Sequence, residues 1–100
     1  MSLDHERVRF LRKPDRGAVQ VWDLLLPNGQ VFGQAEIFPG EVQWGVRIQD
    51  TAPWIPEDDL LRLTARLLVW DVGCPADTVD VVLGRTHAHH TLVRVGGDYV

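Results

Sequence analysis

The chain has 100 residues, 45% of them apolar, and a formal net charge of −4 at pH 7. This size and make-up predict a single compact domain over residues 1–100 rather than a disordered or multidomain chain. The negative balance argues against a nucleic-acid-binding surface, which would need cations converging on one face.

Cysteine content and hydropathy bear on where the protein resides. The single cysteine, Cys74, cannot form an internal disulfide, and no apolar run is long enough to span a bilayer. No signal peptide is recognisable at the start of the sequence. We therefore expect a cytoplasmic protein that makes no membrane contact.

The first half of the chain has the pattern of an antiparallel meander, in which short alternating runs are separated by turn signals. A first strand is predicted over residues 7–12, with a hairpin loop at 14–17. The next turns fall at Asn28-Gly29 and at residues 39–40, and Asn-Gly favours the type I′ geometry of tight hairpins.

Two-residue loops at these turns would fix the register of the second, third and fourth strands. Trp22 would then face Ala35, Leu24 would face Gly33, and Ala35 would also face Trp44 in the fourth strand. The core face of that fourth strand would carry Val42, Trp44, Val46 and Ile48.

Extending the same ladder to the first strand assigns its two faces. Val8 and Phe10 would join the core face. On the reverse face, Arg7 would lie opposite Asp23 as a cross-strand ion pair.

Residues 57–71 have the pattern of a helix. Pro56 suits the first helical position, acidic residues fill the first turn, and Gly73 with Pro75 ends the helix. The apolar residues cover most of its circumference: Leu60, Leu61, Leu63, Leu67, Leu68 and Trp70. We therefore expect either that the sheet and terminal segments curl around the helix, or that a second copy covers its flank.

Two further strands are predicted over residues 78–83 and 91–95, joined by residues 84–90. The element order is then ββββαββ. It defines an α+β fold, in which an antiparallel meander of about four strands carries one α-helix, about residues 57–71, on its apolar face and two more strands follow.

No segment matches a catalytic or cofactor motif. The chain has no glycine-rich phosphate loop, and Ser2 is its only serine. Cys74 follows a helix C-terminus, whose partial negative charge disfavours a thiolate, so a structural thiol is favoured over a nucleophile. We predict no catalytic residues and no cofactor, and the sequence favours a non-enzymatic protein.

The histidine group near the end of the chain is the one candidate metal site. In an extended segment, His87 and His89 would point the same way, whereas His90 would point elsewhere. A third ligand would have to come from His5, Asp80 or another chain. Metal binding by this group stays open beside the alternative that these histidines are solvated.

The reverse face of the meander offers a second alternative. It interleaves polar side chains with apolar ones that include Phe32. A small-ligand-binding or enzymatic site on this face would use Arg7, Asp23, Gln34 and Arg47. A solvated sheet face and a protein interface remain the competing interpretations.

A helix that is apolar around most of its circumference has more apolar surface than one sheet face covers. We therefore predict a small, non-catalytic protein-interaction or regulatory module that binds itself as a homodimer or binds another protein. Trp54 lies in a proline-flanked loop, where it would act as a surface anchor or cover the edge of the core. The candidate interface residues are Phe32, Phe38, Arg47, Trp54, Leu63 and Trp70.

Overall fold

The computed structural model describes residues 4, 6–85, 87–95 and 98–99. In that part of the chain, the strands are β1 (Arg9–Arg16), β2 (Val19–Leu25), β3 (Val31–Phe38), β4 (Gln43–Asp50), β5 (Thr78–Leu83), β6 (Ala88–Val95) and the two-residue β7 (Asp98–Tyr99). Helix α1 (Glu57–Arg66) lies between β4 and β5 and continues as a π-helical segment (Leu67–Val72). The predicted ββββαββ order and the α+β class are confirmed.

The strands lie side by side in chain order, β1-β2-β3-β4-β5-β6-β7. The first four form the expected antiparallel meander, and β5 and β6 are also antiparallel. The pair β4 and β5 is parallel. A parallel pair needs a crossover connection, and α1 provides it.

The register between β2 and β3 begins as predicted, since Trp22 pairs with Ala35 and Leu24 with Gly33. The ladder then shifts, and Leu25 pairs with Val31. Phe32 is the additional residue at this bulge, and its side chain is 2% exposed in the core. The prediction that Phe32 lies on the reverse face is therefore wrong.

The predicted register between β3 and β4 is wrong by four residues. Ala35 pairs with Ile48 rather than with Trp44, because a loop longer than two residues joins the strands. Val42 lies in that loop and is 71% exposed. Trp44 is still buried on the core face, since an even shift leaves the alternation of faces unchanged.

Strand β1 is longer than predicted and is displaced along β2. Arg12 pairs with Trp22, so that Leu11, and not Arg7, lies opposite Asp23. The predicted pair of Arg7 with Asp23 is wrong because strand pairing continues past the proline to Arg16, with an irregularity after Lys13.

The buried face of α1 and the π-helical segment provides the centre of the core. Leu60, Leu63, Leu67 and Leu68 are at most 1% exposed and pack with the inward side chains of the sheet. The helix ends at Gly73, whose φ of 67° is left-handed, a backbone conformation that glycine adopts without steric cost. Among the described residues, no helix combines the length and the apolar character needed to cross a bilayer.

Both edges of the sheet contact this helix. From the β1 side, Phe10 lies under the guanidinium of Arg66 at 4.6 Å, and the backbone carbonyl of Val8 accepts a hydrogen bond from Arg66. From the β7 side, Tyr99 contacts α1 and donates hydrogen bonds to backbone carbonyls within residues 74–76. The sheet thus curls around the helix, which was one of the two expected ways to cover it, and the core positions predicted for Val8 and Phe10 are confirmed.

Candidate functional site

The helix keeps one uncovered side, which ends at Trp70. The Trp70 side chain is 80% exposed, more than any other large apolar side chain in the described part of the chain. Leu61, Ala65 and Val69 are half-buried and recur every fourth residue, so they lie in one row along the helix. We call this surface, with Arg62, the Trp70 flank.

The π-helical segment explains why Trp70 is exposed. In a regular α-helix, a residue three positions after the buried Leu67 would share its face. The i→i+5 bonding of a π-helix puts more residues in each turn, so each residue rotates less about the axis and Trp70 falls short of the face of Leu67, away from the core. The periodicity of the sequence gives no signal for this change.

Two shallow grooves of about 370 and 340 Å³ border the Trp70 flank. Both are lined by Arg62, Ala65 and Tyr99. The first is also lined by Val69, Trp70, Glu6 and Arg66, so apolar and charged side chains lie together beside an exposed indole. This arrangement suits contact with another protein surface better than enclosure of a small molecule, for which sites are deeper.

The charges around the Trp70 flank are of both signs. Burial lowers the pKa of Arg66, while the carboxylates of Asp71 and Glu6 act in the opposite direction. Arg62 and Asp58 both line the second groove. A partner therefore meets cations and carboxylates side by side, which favours a contact with matching opposite charges.

On the reverse face, the structure brings together two of the four residues of the predicted ligand site. The side-chain amide of Gln34 donates to Oδ1 of Asp23 at 3.3 Å, and Lys13 Nζ lies 3.8 Å from Oδ2 of Asp23. Arg16 Nη2 donates to Oε1 of Gln34 at 3.1 Å. These partners link β1, β2 and β3 by polar contacts at the surface.

Of the other two residues of that predicted site, Arg47 is linked to this group indirectly and Arg7 lies outside it. Arg47 Nη1 is 3.8 Å from Oε1 of Glu36, and its guanidinium lies 5.8 Å from the ring centroid of Phe38. Arg7 precedes β1 and has no position in the ladder with Asp23. Arg16 Nη1 lies 3.4 Å from Oε2 of Glu36 and therefore connects Arg47 to Gln34, so that three of the four residues belong to one polar network and Arg7 does not.

A groove of about 560 Å³ opens beside Asp23 and Gln34, where the ends of β4 and β5 meet. Its lining consists of Asp23, Val31, Gly33, Gln34, Gln49, Asp50, Thr51, Gly84 and Arg85. The Asp50 side chain is 1% exposed, and its Oδ2 has no hydrogen-bond partner among the described residues. Sequence reasoning missed this groove, although Asp50 ends β4 and Arg85 closely follows the end of β5, and the two strands are parallel.

Arg85 ties the loop before α1 in place. Its guanidinium donates to the carbonyls of Ala52 and Ile55 and lies 3.5 Å from Oδ1 of Asp50. These contacts anchor the loop that carries Trp54, whose side chain is 41% exposed. Trp54 precedes α1, whereas Trp70 lies in the π-helical segment that follows α1, so the two indoles belong to separate surfaces.

The remaining candidate interface residues differ in accessibility. Phe32 and Leu63 are 2% and 1% exposed, so neither side chain is accessible to a partner in this structure. Phe38 is 37% exposed and stacks with Arg47 on the reverse face. Of the six residues, Trp70 offers the largest exposed fraction next to other apolar surface.

The histidines are arranged differently from the extended segment that was expected. His87 adopts a left-handed φ of 53° in the turn, and β6 starts only at Ala88. His90 faces the helix, with Nε2 3.3 Å from Oε1 of Glu57. Within the described residues, no group of three or more His, Cys, Asp or Glu side chains has a metal-holding arrangement, and His5 lies outside them. Metal binding by His87 and His89 stays a prediction.

Nothing matches this chain in comparisons with protein families, curated proteins and solved structures.

Proposed function

We propose that the protein is a small, non-catalytic interaction or regulatory module that self-associates as a homodimer through the Trp70 flank. The observation that carries the proposal is the 80% exposure of Trp70 beside half-buried apolar residues. An exposed apolar patch of this kind on a compact domain marks a contact surface.

Tryptophan is well suited to anchor such a contact. It is enriched among the residues that dominate binding energy, since its large ring buries much apolar area in one pocket. Each copy carries both an exposed indole and an adjacent groove lined by Ala65 and Val69. A groove beside an anchor on the same surface supports a contact in which each copy contributes both.

Symmetry and charge favour a second copy as the partner. A twofold contact uses the same patch on both copies, so the patch must complement itself. The surroundings of Trp70 contain cations, Arg62 and Arg66, and carboxylates, Asp58 and Asp71. Two antiparallel helices can therefore set cation against carboxylate rather than like against like.

Sedimentation equilibrium tests the proposal. The unaltered chain is expected to dimerise in the micromolar range, whereas Trp70→Glu is expected to remain monomeric because it introduces a charge at the centre of the contact. Trp54→Glu is the matched control, since it makes the same change at an exposed tryptophan on another surface. A chain that stays monomeric at the highest soluble concentration would remove the proposal, as would dimers that only Trp54→Glu disrupts.

We further propose a cytoplasmic location, which the buried free thiol of Cys74 supports because reducing compartments preserve such thiols. Fractionation of cells that express the protein tests this location. Recovery with the membranes or outside the cell would contradict it.

A second candidate function rests on the 560 Å³ groove. Asp50 lines this groove, and the unpartnered Oδ2 of its buried carboxylate favours a ligand with a hydrogen-bond donor, such as an amine or an alcohol. Binding would require the groove to open slightly at Asp50, because the carboxylate is 1% exposed.

A screen of small amines and alcohols by NMR tests this second function. The side-chain amide resonances of Gln34 and Gln49 are expected to shift on binding, because both residues line the groove. Arg47→Ala, outside the groove, should leave these shifts unchanged, whereas Gln34→Ala should weaken binding. The candidate fails if no compound in the screen perturbs either amide.

A further inference from the structure

Strand β1 forms one edge of the sheet. It pairs with β2 along one side, and no strand of the described chain pairs with its other side. Seven of its eight residues are exposed, and Phe10 is half-buried. A long edge strand presents unpaired N–H and C=O groups that can accept a further strand.

The edge is also the most basic part of the chain. Residues 7–16 hold five of the ten cations, namely Arg7, Arg9, Arg12, Lys13 and Arg16, but only one of the fourteen acidic residues. The chain as a whole has a net charge of −4. Asp15, Asp23 and Glu36 pair with three of these cations, Arg12, Lys13 and Arg16. The segment nevertheless keeps an excess of positive charge, opposite in sign to the rest of the protein, which attracts an acidic partner.

The exposed side chains along β1 follow a simple pattern. Arg9, Leu11 and Lys13 alternate along the strand and so lie on one face, where Leu11 is 50% exposed. A neighbouring strand with the order acidic, aliphatic, acidic at every second position would place opposite charges and an apolar pair across the ladder. Pro14 lacks an N–H, which confines this pairing to Arg9–Lys13.

The charges and the backbone groups of the β1 edge argue against two other binding partners. Edge-to-edge pairing with β1 of a second copy would bring cations close to cations, which is destabilising. A nucleic acid would satisfy the charges but would leave the strand's N–H and C=O groups without the regular partners that another extended backbone supplies. The backbone of the edge thus favours a peptide.

We propose that the β1 edge binds an extended acidic segment of another protein, which adds to the sheet as a further strand beside Arg9–Lys13. This surface lies on a different element from the Trp70 flank. The proposal is accordingly independent of self-association, and either one can fail while the other holds.

The test uses the full chain and four probes in NMR titrations. The first probe is a nine-residue peptide with alternating Glu and Thr around a central Leu. The second replaces each Glu with Lys, the third keeps the Glu residues but places Pro between them, and the fourth is a single-stranded oligonucleotide of equal charge. The acidic peptide is expected to shift the amides of Arg9–Lys13, to protect from hydrogen exchange those whose N–H points away from β2, and to bind less tightly as salt rises.

The relative affinities of the four probes test the proposal. The Lys and Pro peptides and the oligonucleotide are each expected to bind at least about tenfold more weakly than the acidic peptide. Equal binding by the Pro peptide or the oligonucleotide would show plain polyanion attraction and would overturn strand addition. Binding that perturbs residues away from β1 would overturn the location.

Two variants provide a matched check. Arg9→Glu combined with Lys13→Glu is expected to reduce affinity for the acidic peptide by at least about tenfold. Arg47→Glu, a charge reversal on the exposed face of β4, is the control and should preserve binding. If the double variant does not fold, the four probes on the unaltered chain still decide the outcome, and equal losses in both folded variants would contradict the proposal.

Discussion

The guanidinium of Arg85 lies 3.5 Å from Oδ1 of Asp50, whose side chain is 1% exposed. Arg85 also donates to the carbonyls of Ala52 and Ile55, so one side chain neutralises a buried charge and fixes the loop that leads into α1. Removing one partner of such a pair leaves an uncompensated charge in the interior.

We expect Arg85→Ala to lower the free energy of unfolding by about 2 kcal/mol, measured by urea denaturation. Arg94→Ala is the control. Its guanidinium donates to one exposed carbonyl, that of Pro75, and its loss should cost less than about 0.5 kcal/mol.

A second substitution separates the buried charge from the loop contacts. Adding Asp50→Asn to Arg85→Ala should recover part of the lost stability, because a neutral amide replaces the unpaired carboxylate. If the double variant is less stable than Arg85→Ala, or if Arg85→Ala and Arg94→Ala cost the same, the buried ion pair does not have the role assigned to it.

Two glycines on neighbouring strands are expected to differ sharply in their tolerance of a methyl group. A Cβ at Gly33 would lie 2.5 Å from the backbone oxygen of Gln49, whereas one at Gly45 would meet Phe38 Cβ at an ordinary 3.6 Å. Gly33→Ala should therefore destabilise the protein by about 2 kcal/mol or more, because the β3–β4 ladder must shift. Thermal unfolding of both variants measures the difference.

Gly45→Ala should change stability by no more than about 0.5 kcal/mol. Similar unfolding midpoints for Gly33→Ala and Gly45→Ala would mean that β3 and β4 do not approach each other as closely as described.

The element order could be predicted from sequence because it depends on local signals. Alternating apolar residues, Asn28-Gly29 and the Gly73 stop each act within a few residues. The register of β3 and β4 could not be predicted in the same way. The correct pairing of Ala35 with Ile48 and the predicted pairing with Trp44 differ by an even number, so both keep the same residues on the core face.

Two other features could not be predicted because they depend on contacts between residues far apart in the chain. Phe32 reaches the core because of a bulge, for which the adjacent Gly33 is a weak signal. The groove at Asp50 and Arg85 forms because β4 and β5 are parallel neighbours, so their carboxyl ends meet. A helix between two strands is compatible with several strand orders, and the sequence does not choose among them.

Tyr99 provides a test of how the end of the sheet closes on the helix. The single proton of its hydroxyl is shared between the carbonyl oxygens of Cys74 at 3.1 Å and Ala76 at 3.2 Å. Burial is the main cause that raises the pKa of Tyr99, and the neighbouring Cys74 adds to the effect. Since Tyr99 is the chain's only tyrosine, its ionisation can be followed by ultraviolet absorbance.

The raised pKa of Tyr99 determines how the stability of the protein changes with pH. The tyrosine of the unfolded chain ionises at about pH 10, whereas that of the folded chain holds its proton to higher pH. The Tyr99 contribution to stability is thus fully present below pH of about 10 and is lost as the pH rises beyond it. Tyr99→Phe should abolish this part of the alkaline loss.

Tyr99→Phe should also cost about 1 kcal/mol at neutral pH, because two carbonyls lose a donor. A tyrosine that titrates near its ordinary pKa in the folded protein would show that β7 does not pack against the loop after the helix.

The most direct test of self-association through the Trp70 flank is ¹⁹F NMR of protein labelled with fluorotryptophan, recorded over a dilution series. The four indoles report separate places, since Trp22 and Trp44 are buried, Trp54 lies in the loop before α1, and Trp70 lies on the flank. Single Trp→Phe variants assign the resonances. The Trp70 resonance is predicted to move with concentration while the other three stay fixed. A Trp70 resonance that does not change from the lowest to the highest concentration, or a concentration-dependent shift at Trp54 alone, would contradict the account.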